Sequence, residues 1–310
     1  MNKLSVNKPN AASDMTPDAA MPARQKSPLF QRVTVFVIWA WLIIFALIPN
    51  LLVVLASFLT RDEDTFLALP LTLESYLRFI DPLYVKVFLH SLSMASITTM
   101  ICLILGYPFA WMVSRASKRW QSFLMLLLII PFWTNSLVRL YAVKLIMAAN
   151  GLLSTALISM GLIDEPLQIL YTQKAVIGGL VYLLFPFMVL PLYAVFTDMR
   201  DDIVLASKDL GANKFQTFWH IILPLTTPGI ISGVLLVLLP AMGMFYVADI
   251  LGGSRNLLVG NIIKSQFLDA RDWPFGAAAS VLLTVTMAIL IAAYYASSKR
   301  IGKTDHNEVA

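Results

Sequence analysis

Charge is the first thing this sequence is short of. Of its 310 residues only 13% are Asp, Glu, Lys or Arg, where a soluble domain carries about 25%. Hydrophobic residues make up 58%, and the mean hydropathy is +0.76. So little polar surface cannot cover a water-soluble globule. There is one cysteine, Cys102, inside an apolar run, which leaves no internal disulfide to staple a loop. The three histidines, His90, His220 and His306, lie far apart and fit boundary or packing positions. No His/Cys/carboxylate group has metal-ligand spacing. No G-x-x-x-x-G-K-[ST] stretch is present to cradle nucleotide phosphates. The chain therefore cannot drive pumping by itself, and the energy for any pumping must come from a partner. The net charge of +5 is spread over loops, not gathered into a nucleic-acid patch.

What is abundant is apolar sequence, with membrane lipid as its solvent. Six segments, near 33–59, 87–113, 121–146, 174–197, 229–251 and 276–297, reach the roughly 20 residues needed to cross a bilayer. Each must be helical, because lipid offers no partner to an open backbone. Pro49, Pro108, Pro131, Pro186, Pro191 and Pro240 inside them predict a bent, packed bundle. Residues 1–28 are polar and aperiodic and read as a disordered tail, with none of the make-up of a signal peptide. A membrane domain over 29–300 and a second short tail over 301–310 complete the division. Basic residues set the orientation. Fourteen fall in the first tail, in the loop at 115–119, around 200–214 and near the C-terminus; six fall at Arg61, Arg78, Lys86, Arg255, Lys264 and Arg271. Both termini and the 198–228 loop are thus expected in the cytoplasm.

Three polar features lie where lipid would be. Pro131 to Ser136 includes Trp133 and Asn135, followed by Arg139 and Lys144; Tyr182 precedes Phe185-Pro186-Phe187; and Gly243 to Asp249 includes Tyr246. Charges at bilayer depth are costly and face a bundle interior or a wet cavity. Aromatic faces attract cations, and a carboxylate offsets a desolvated ammonium. Trp133, Asn135, Tyr182, Tyr246 and Asp249 are therefore candidates to line a path for a cation. The competing readings are interhelical hydrogen bonding for Asn135, snorkelling for Arg139 and Lys144, and a simple helix cap for Asp249.

The longest helical-looking polar interruption of the second half runs from Asp198 to Ile230. Asp201 and Asp202 suit a helix start. Ile203, Ala206, Ser207 and Leu210 share a face, and Gly211 suits a reversal. Asn213 can cap a second short helix with Phe215, Phe218, Trp219 and Ile222, which Pro224 is expected to stop. Two short helices bent about Gly211 would suit docking in a groove of another protein; an ordinary interfacial hairpin is the plainer reading.

This stretch resembles the cytoplasmic signature of bacterial ABC-importer permeases: Glu-Ala-Ala, three residues, Gly, nine residues, Ile, one residue, Leu-Pro. Ala206, Gly211, Ile221, Leu223 and Pro224 match at that spacing. Ser207 is a mild change, and Leu205 replaces the glutamate, which removes one polar contact. The resemblance implies that Leu205 to Ala212, including Asp209, forms the coupling helix that seats in a cleft of an ATPase subunit. PFWTNSLVRLYA at 131–142, GYPFAW at 106–111, LPLTTPGIISG at 223–233, GMFYVADILGG at 243–253 and NIIKSQFLDARDWPFGAA at 261–278 are similar to the spermidine/putrescine permeases of that group. The resemblance implies an all-α polytopic bundle of six transmembrane helices, the type I ABC-importer permease fold, in the bacterial inner membrane. It also implies a second homologous permease subunit, an ATPase dimer that binds ATP and Mg, and a periplasmic polyamine-binding protein. No cofactor is expected in this chain. Putrescine-only relatives are the nearest alternative. An ion-driven secondary transporter would need an inverted repeat, and an intramembrane enzyme a catalytic mate for Asp249; neither is evident.

The basic asymmetry makes the topology testable. A reporter active only in the cytoplasm is expected to work when fused to the C-terminus and to stay silent when inserted within 150–173. The reverse pattern would overturn the orientation.

Overall fold

The computed structural model describes residues 28–62, 66–253 and 256–307, with the backbone alone for 28–31, 201 and 293–307. The tail predicted over 1–28 thus lies outside the described residues except for the backbone of Pro28, as does the end of the second tail after Asn307. Apart from one isolated bridge between Thr60 and Ala68, the regular structure among the described residues is helical. In order the α-helices are α1 (Pro28–Leu42), α2 (Ile48–Ala56), α3 (Glu74–Arg78), α4 (Pro82–Arg115), α5 (Lys118–Ile129), α6 (Ser136–Met147), α7 (Leu152–Ser159), α8 (Gln173–Asp198), α9 (Asp201–Asp209), α10 (Lys214–Thr217), α11 (Leu223–Gly243), α12 (Phe245–Val247), α13 (Val259–Leu268) and α14 (Trp273–Asn307). Among the described residues, six helical stretches are long and apolar enough to cross a membrane: Arg32–Ala56, Pro82–Arg115, Ser136–Ser159, Gln173–Asp198, Lys214–Gly243 and Trp273–Ala292.

The chain divides into two units, residues 1–51 and 52–310. In the first, α1 runs through a π turn, Ile43–Leu47, into α2, and its apolar side chains are exposed. The π turn sits just ahead of Pro49. The Ile48 amide bonds to the Ile43 carbonyl, five residues back, and this widened turn relieves the clash of a proline ring with the carbonyl four residues earlier.

The second unit is built on α4, α8 and α11, which pack on one another. α4 starts on Asp81, whose carboxylate accepts from the Leu83 amide at 2.8 Å, with Pro82 in the first turn where no donor is missed. Its buried face is a seam of Ser91, Ala95, Thr98, Thr99, Cys102, Gly106 and Ala110. Small residues at three- and four-residue spacing let helices approach closely where lipid supplies no hydrophobic push. The Ser91 and Thr99 hydroxyls return their protons to carbonyls four residues back. The same device recurs on α11: a methyl group at Gly229 would lie 2.9 Å from Val195, and one at Gly233 2.6 Å from the Met188 sulfur. This Gly-x-x-x-Gly pair seats α11 on α8.

Two of the expected spans are divided otherwise than the hydropathy indicates. The stretch 121–146 is not one helix: α5 ends in a 3₁₀ turn, Ile130–Trp133, Thr134 is extended, and the Asn135 side chain caps α6 by accepting from the Leu137 amide at 2.8 Å. Pro131 and the capping asparagine impose that break. The stretch 229–251 is also interrupted. The helix closes at Gly243, Met244 leaves the helical region with ψ 66°, and a short segment of α12 and the π turn Ala248–Gly252 follows.

Where α14 begins, Asp272 is buried and accepts from Arg78 Nη1 at 2.8 Å and from the Phe275 amide at 3.2 Å. Arg61 approaches the same oxygen at 4.0 Å, and the Arg78 guanidinium lies 4.5 Å from the centre of the Phe275 ring. The carboxylate therefore caps α14 and fastens α3 and the chain around Arg61 to it. Asp272→Ala removes the carboxylate partner of Arg78 and the helix cap, which costs about 1–3 kcal/mol. A lower thermal unfolding midpoint in detergent is the expected readout. Arg61→Ala, at the longer distance and half exposed, is expected to cost under about 1 kcal/mol.

Candidate functional site

Two places carry the predicted site residues. The first is the hairpin of α9 and α10. α9 ends in a Schellman arrangement: the Ala212 amide bonds to Ser207 O at 3.0 Å and the Gly211 amide to Lys208 O at 2.9 Å, with Gly211 at φ +86°. A side chain at Gly211 would meet open space, so the backbone conformation and not crowding selects glycine. Asn213 and Gln216 then form a capping box, each side chain bonding the other's backbone amide at 2.8–2.9 Å.

Ser207, where the signature has alanine, is buried, and its hydroxyl meets that of Thr217 at 3.1 Å while donating to Val204 O. It ties one helix of the hairpin to the other. Leu205, Ala206 and Asp209 are exposed, as are Ile203, Leu210, Phe215 and Trp219; Leu210 is 89% exposed. Large apolar side chains are thus left in the open on a capped hairpin.

Pro224 does not stop the second helix. α10 passes through a π turn, Phe218–Ile222, in which the Leu223 amide bonds to Phe218 O, and continues as α11. Pro224 thus falls in a first turn preceded by the same widening seen before Pro49. Ile221 is half-buried and Leu223 partly so, at the root of the hairpin. That root is fixed to the bundle by aromatic rings. Tyr107 of α4 shares a 3.0 Å hydrogen bond with Thr226 and meets Phe196 and Phe218 edge-on at 5.1 and 5.9 Å; Trp111 meets Phe196 at 5.1 Å.

The second place is the polar residues of the bundle, which the structure sorts into two sets. Trp133, 79% exposed, and the cap Asn135 occupy the break between α5 and α6. Phe132 from the same turn packs edge-on against Phe187 of α8 at 5.2 Å. Tyr182 faces a cavity of about 360 Å³ shared with Leu127, Pro131, Arg139 and Phe185. Arg139 lies 5.6 Å from the Phe132 ring centre, and Lys144 lies over Tyr141 and Tyr171.

Tyr246 and Asp249 form the other set, on the segment after α11. Asp249 Oδ1 accepts from Asn261 Nδ2 and Oδ2 from Lys264 Nζ, both at 2.6 Å. Among the described residues these are its polar partners. The Lys264 ammonium lies 5.6 Å from the Phe245 ring centre, and Phe245 meets Tyr246 edge-on. The carboxylate holds the Lys264 pKa above its ordinary value. Asn261 is buried and fully committed: its amide also donates to Phe245 O, and its oxygen accepts from the Leu258 amide. Both sets flank α8, where Leu140 of α6 and Val247 and Leu251 of the second segment meet around Gly179.

Residues 102–303 match the family described as binding-protein-dependent transport system inner membrane component. The chain belongs to that family. Among curated relatives of this permease, the spermidine/putrescine transport system permease protein PotB of Haemophilus influenzae is 55% identical over 274 residues, 88% of this chain and 96% of the relative. PotB of Escherichia coli is 51% identical over 263 residues, 85% and 96%. The inner membrane ABC transporter permease protein YdcU of Escherichia coli is 31% identical over 264 residues, 80% and 82%. Among solved structures, a chain of a bacterial alginate ABC transporter in complex with its alginate pentasaccharide-bound periplasmic protein superposes with a TM-score of 0.72 at 13% identity, covering 88% of the permease and 95% of that chain. The all-α importer-permease fold implied by the sequence is therefore the fold observed.

What the residue order hid is the pairing of Asp249 with Asn261 and Lys264, across a loop and a helix. Its only sequence trace is the three-residue spacing of Asn261 and Lys264, one helical turn. For the hairpin, Gly211→Asp adds a β-carbon where φ is positive, at a cost of about 1–2 kcal/mol, and a charge on the apolar face. Membrane insertion is expected to be normal and co-purification of an ATPase subunit lost. Full co-purification and normal uptake would show the hairpin to be a mere connector.

Proposed function

We propose that this chain is the transmembrane permease subunit of an ATP-driven importer of spermidine and putrescine. The observation that carries the reading is the 50–55% identity to PotB permeases over nearly their whole length. The exposed apolar hairpin supports a partner on that side, and the carboxylate, aromatic and amide groups around Asp249 support a cationic substrate.

In this reading the partners are a second homologous permease, a dimer of ATPase subunits holding ATP and Mg, and a periplasmic binding protein loaded with polyamine. Both termini and the hairpin are cytoplasmic, in a bacterial inner membrane. Leu205, Ala206, Asp209, Leu210 and Phe215 offer the surface that seats in the ATPase, while Ser207, Gly211 and Ala212 hold its shape. Ile221, Leu223 and Pro224 join it to α11. Trp133, Asn135, Tyr182, Tyr246 and Asp249 serve the cation's path: an ammonium group losing water gains a carboxylate or a π-face instead. Movement across the membrane requires two states of the bundle that hold the substrate differently.

The deciding experiment is ATP hydrolysis by the co-purified complex with polyamine-loaded binding protein. Stimulation by spermidine, and none by an uncharged solute of similar length, is the expected result; indifference to polyamine overturns the reading. Within it, Asp249→Asn is expected to cut spermidine and putrescine uptake at least threefold with assembly and basal hydrolysis intact. Tyr246→Leu and Trp133→Leu are expected to do less, since a cation–π contact contributes about 0.5–2 kcal/mol. Unchanged uptake in Asp249→Asn removes that residue from the path.

A further inference from the structure

Asp249 already binds a primary alkylammonium ion, and the ion is part of the chain. One carboxylate oxygen is fixed by the buried Asn261 at 2.6 Å, which turns the other outward to the Lys264 ammonium, also at 2.6 Å. The Phe245 ring provides a π-face 5.6 Å from the same nitrogen. Carboxylate plus aromatic face is the combination that recognises a desolvated ammonium. A lysine side chain is four methylenes ending in an ammonium, so what occupies this site is chemically one end of a diaminoalkane. The two side chains keep 36% and 34% of their exposure. The pair can therefore exchange partners without unfolding the segment.

We propose that Lys264 is a tethered stand-in for the transported cation. In the absence of substrate its ammonium fills the Asp249 site, and an arriving polyamine displaces it. The inference rests on the polyamine reading above and deepens it. Displacement keeps the partly exposed carboxylate paired with an ammonium at every stage, so Asp249 is never left without a counter-charge. It also makes the site selective by exchange. A solute without an ammonium group has nothing to offer Asp249 that Lys264 does not already supply, whereas a polyamine replaces the lysine with one end and has a further cation left for another group on the path. The released lysine adds a positive charge beside the departing substrate and favours its onward movement. Because an exposed pair of this kind is only moderately favoured over its open form, the lysine weakens substrate binding a few-fold and does not abolish it.

The test uses the co-purified complex in nanodiscs without binding protein, with radiolabelled spermidine as the probe. Lys264→Met is expected to bind spermidine about two- to sixfold more tightly than the native chain. Lys264→Gln, which can still hydrogen-bond to Asp249 but carries no charge, is expected to tighten binding in the same direction and decides the matter if Lys264→Met fails to assemble. In an Asp249→Asn background the gain is expected to vanish. Unchanged or weaker binding in the lysine variants overturns the proposal. A gain that persists in Asp249→Asn also overturns it, since removal of a distant repulsive charge would then be the whole effect. Polyamine uptake by cells carrying the native complex is the control: no uptake defeats the functional reading, whereas normal uptake with unaltered binding defeats only the role given to Lys264.

Discussion

A backbone carbonyl in hydrocarbon has no water to turn to, and this constraint organises the molecule. At several places where proline withdraws a donor, or where a helix begins, a local device answers. Before Pro49 and before Pro224 the helix widens into a π turn, and an amide five residues on takes the carbonyl. Asp81, Asn135 and Thr172 supply side-chain oxygens to the first amides of α4, α6 and α8. Ser91, Ser96 and Thr99 of α4 bond back within their own helix. The helices associate through small residues, as at the Gly229–Gly233 seam on α8.

Much of this is legible in the residue order, and the reason differs from element to element. The six apolar stretches reflect bilayer thickness. The hairpin rests on Gly211 and Asn213, because a positive φ and a capping box are local demands that few residues meet. Pro224 departs from expectation for a physical reason: a rule for straight helices makes proline a terminator, whereas a preceding π turn makes it a first-turn residue. The break at Thr134 and Asn135 is hidden by hydropathy, which averages over a capping asparagine. In the sequence Lys264, Arg61 and Arg78 count only as outer charges, and Asp272 does not stand out at all. Their meaning is tertiary: the carboxylate that pairs with Lys264 is 15 positions away and the one that pairs with Arg78 is 194. No local pattern encodes such a pairing.

The two functional places differ in how they are held. The hairpin is rigid within itself through Ser207 and Thr217 and is rooted by the Tyr107, Trp111, Phe196 and Phe218 rings. The Asp249 segment is braced by Asn261 and buried apolar side chains, yet its ion pair stays about a third exposed. Under the proposed function, a hairpin held within itself and a partly exposed ion pair at Asp249 suit a subunit that receives force at one place and handles an ion at another.

The unbroken passage of α10 into α11 carries the chain from the hairpin to the turn just before the Asp249 segment. From Lys214 to Gly243 is one 30-residue rod, about 45 Å long at 1.5 Å per residue. Its first turn belongs to the hairpin, and its last abuts Met244, where the backbone leaves the helix just ahead of Phe245 and Asp249. A rod pivoting near its rooted end acts as a lever: by its length alone, a tilt of about 10° sweeps the far tip through about 8 Å. Had Pro224 ended the helix, that arm would have been cut at its fulcrum, and a push on the hairpin would have been absorbed in a loose joint. The π turn keeps the shaft whole from the exposed apolar hairpin to Gly243, and the segment that carries Asp249 follows the turn at Met244.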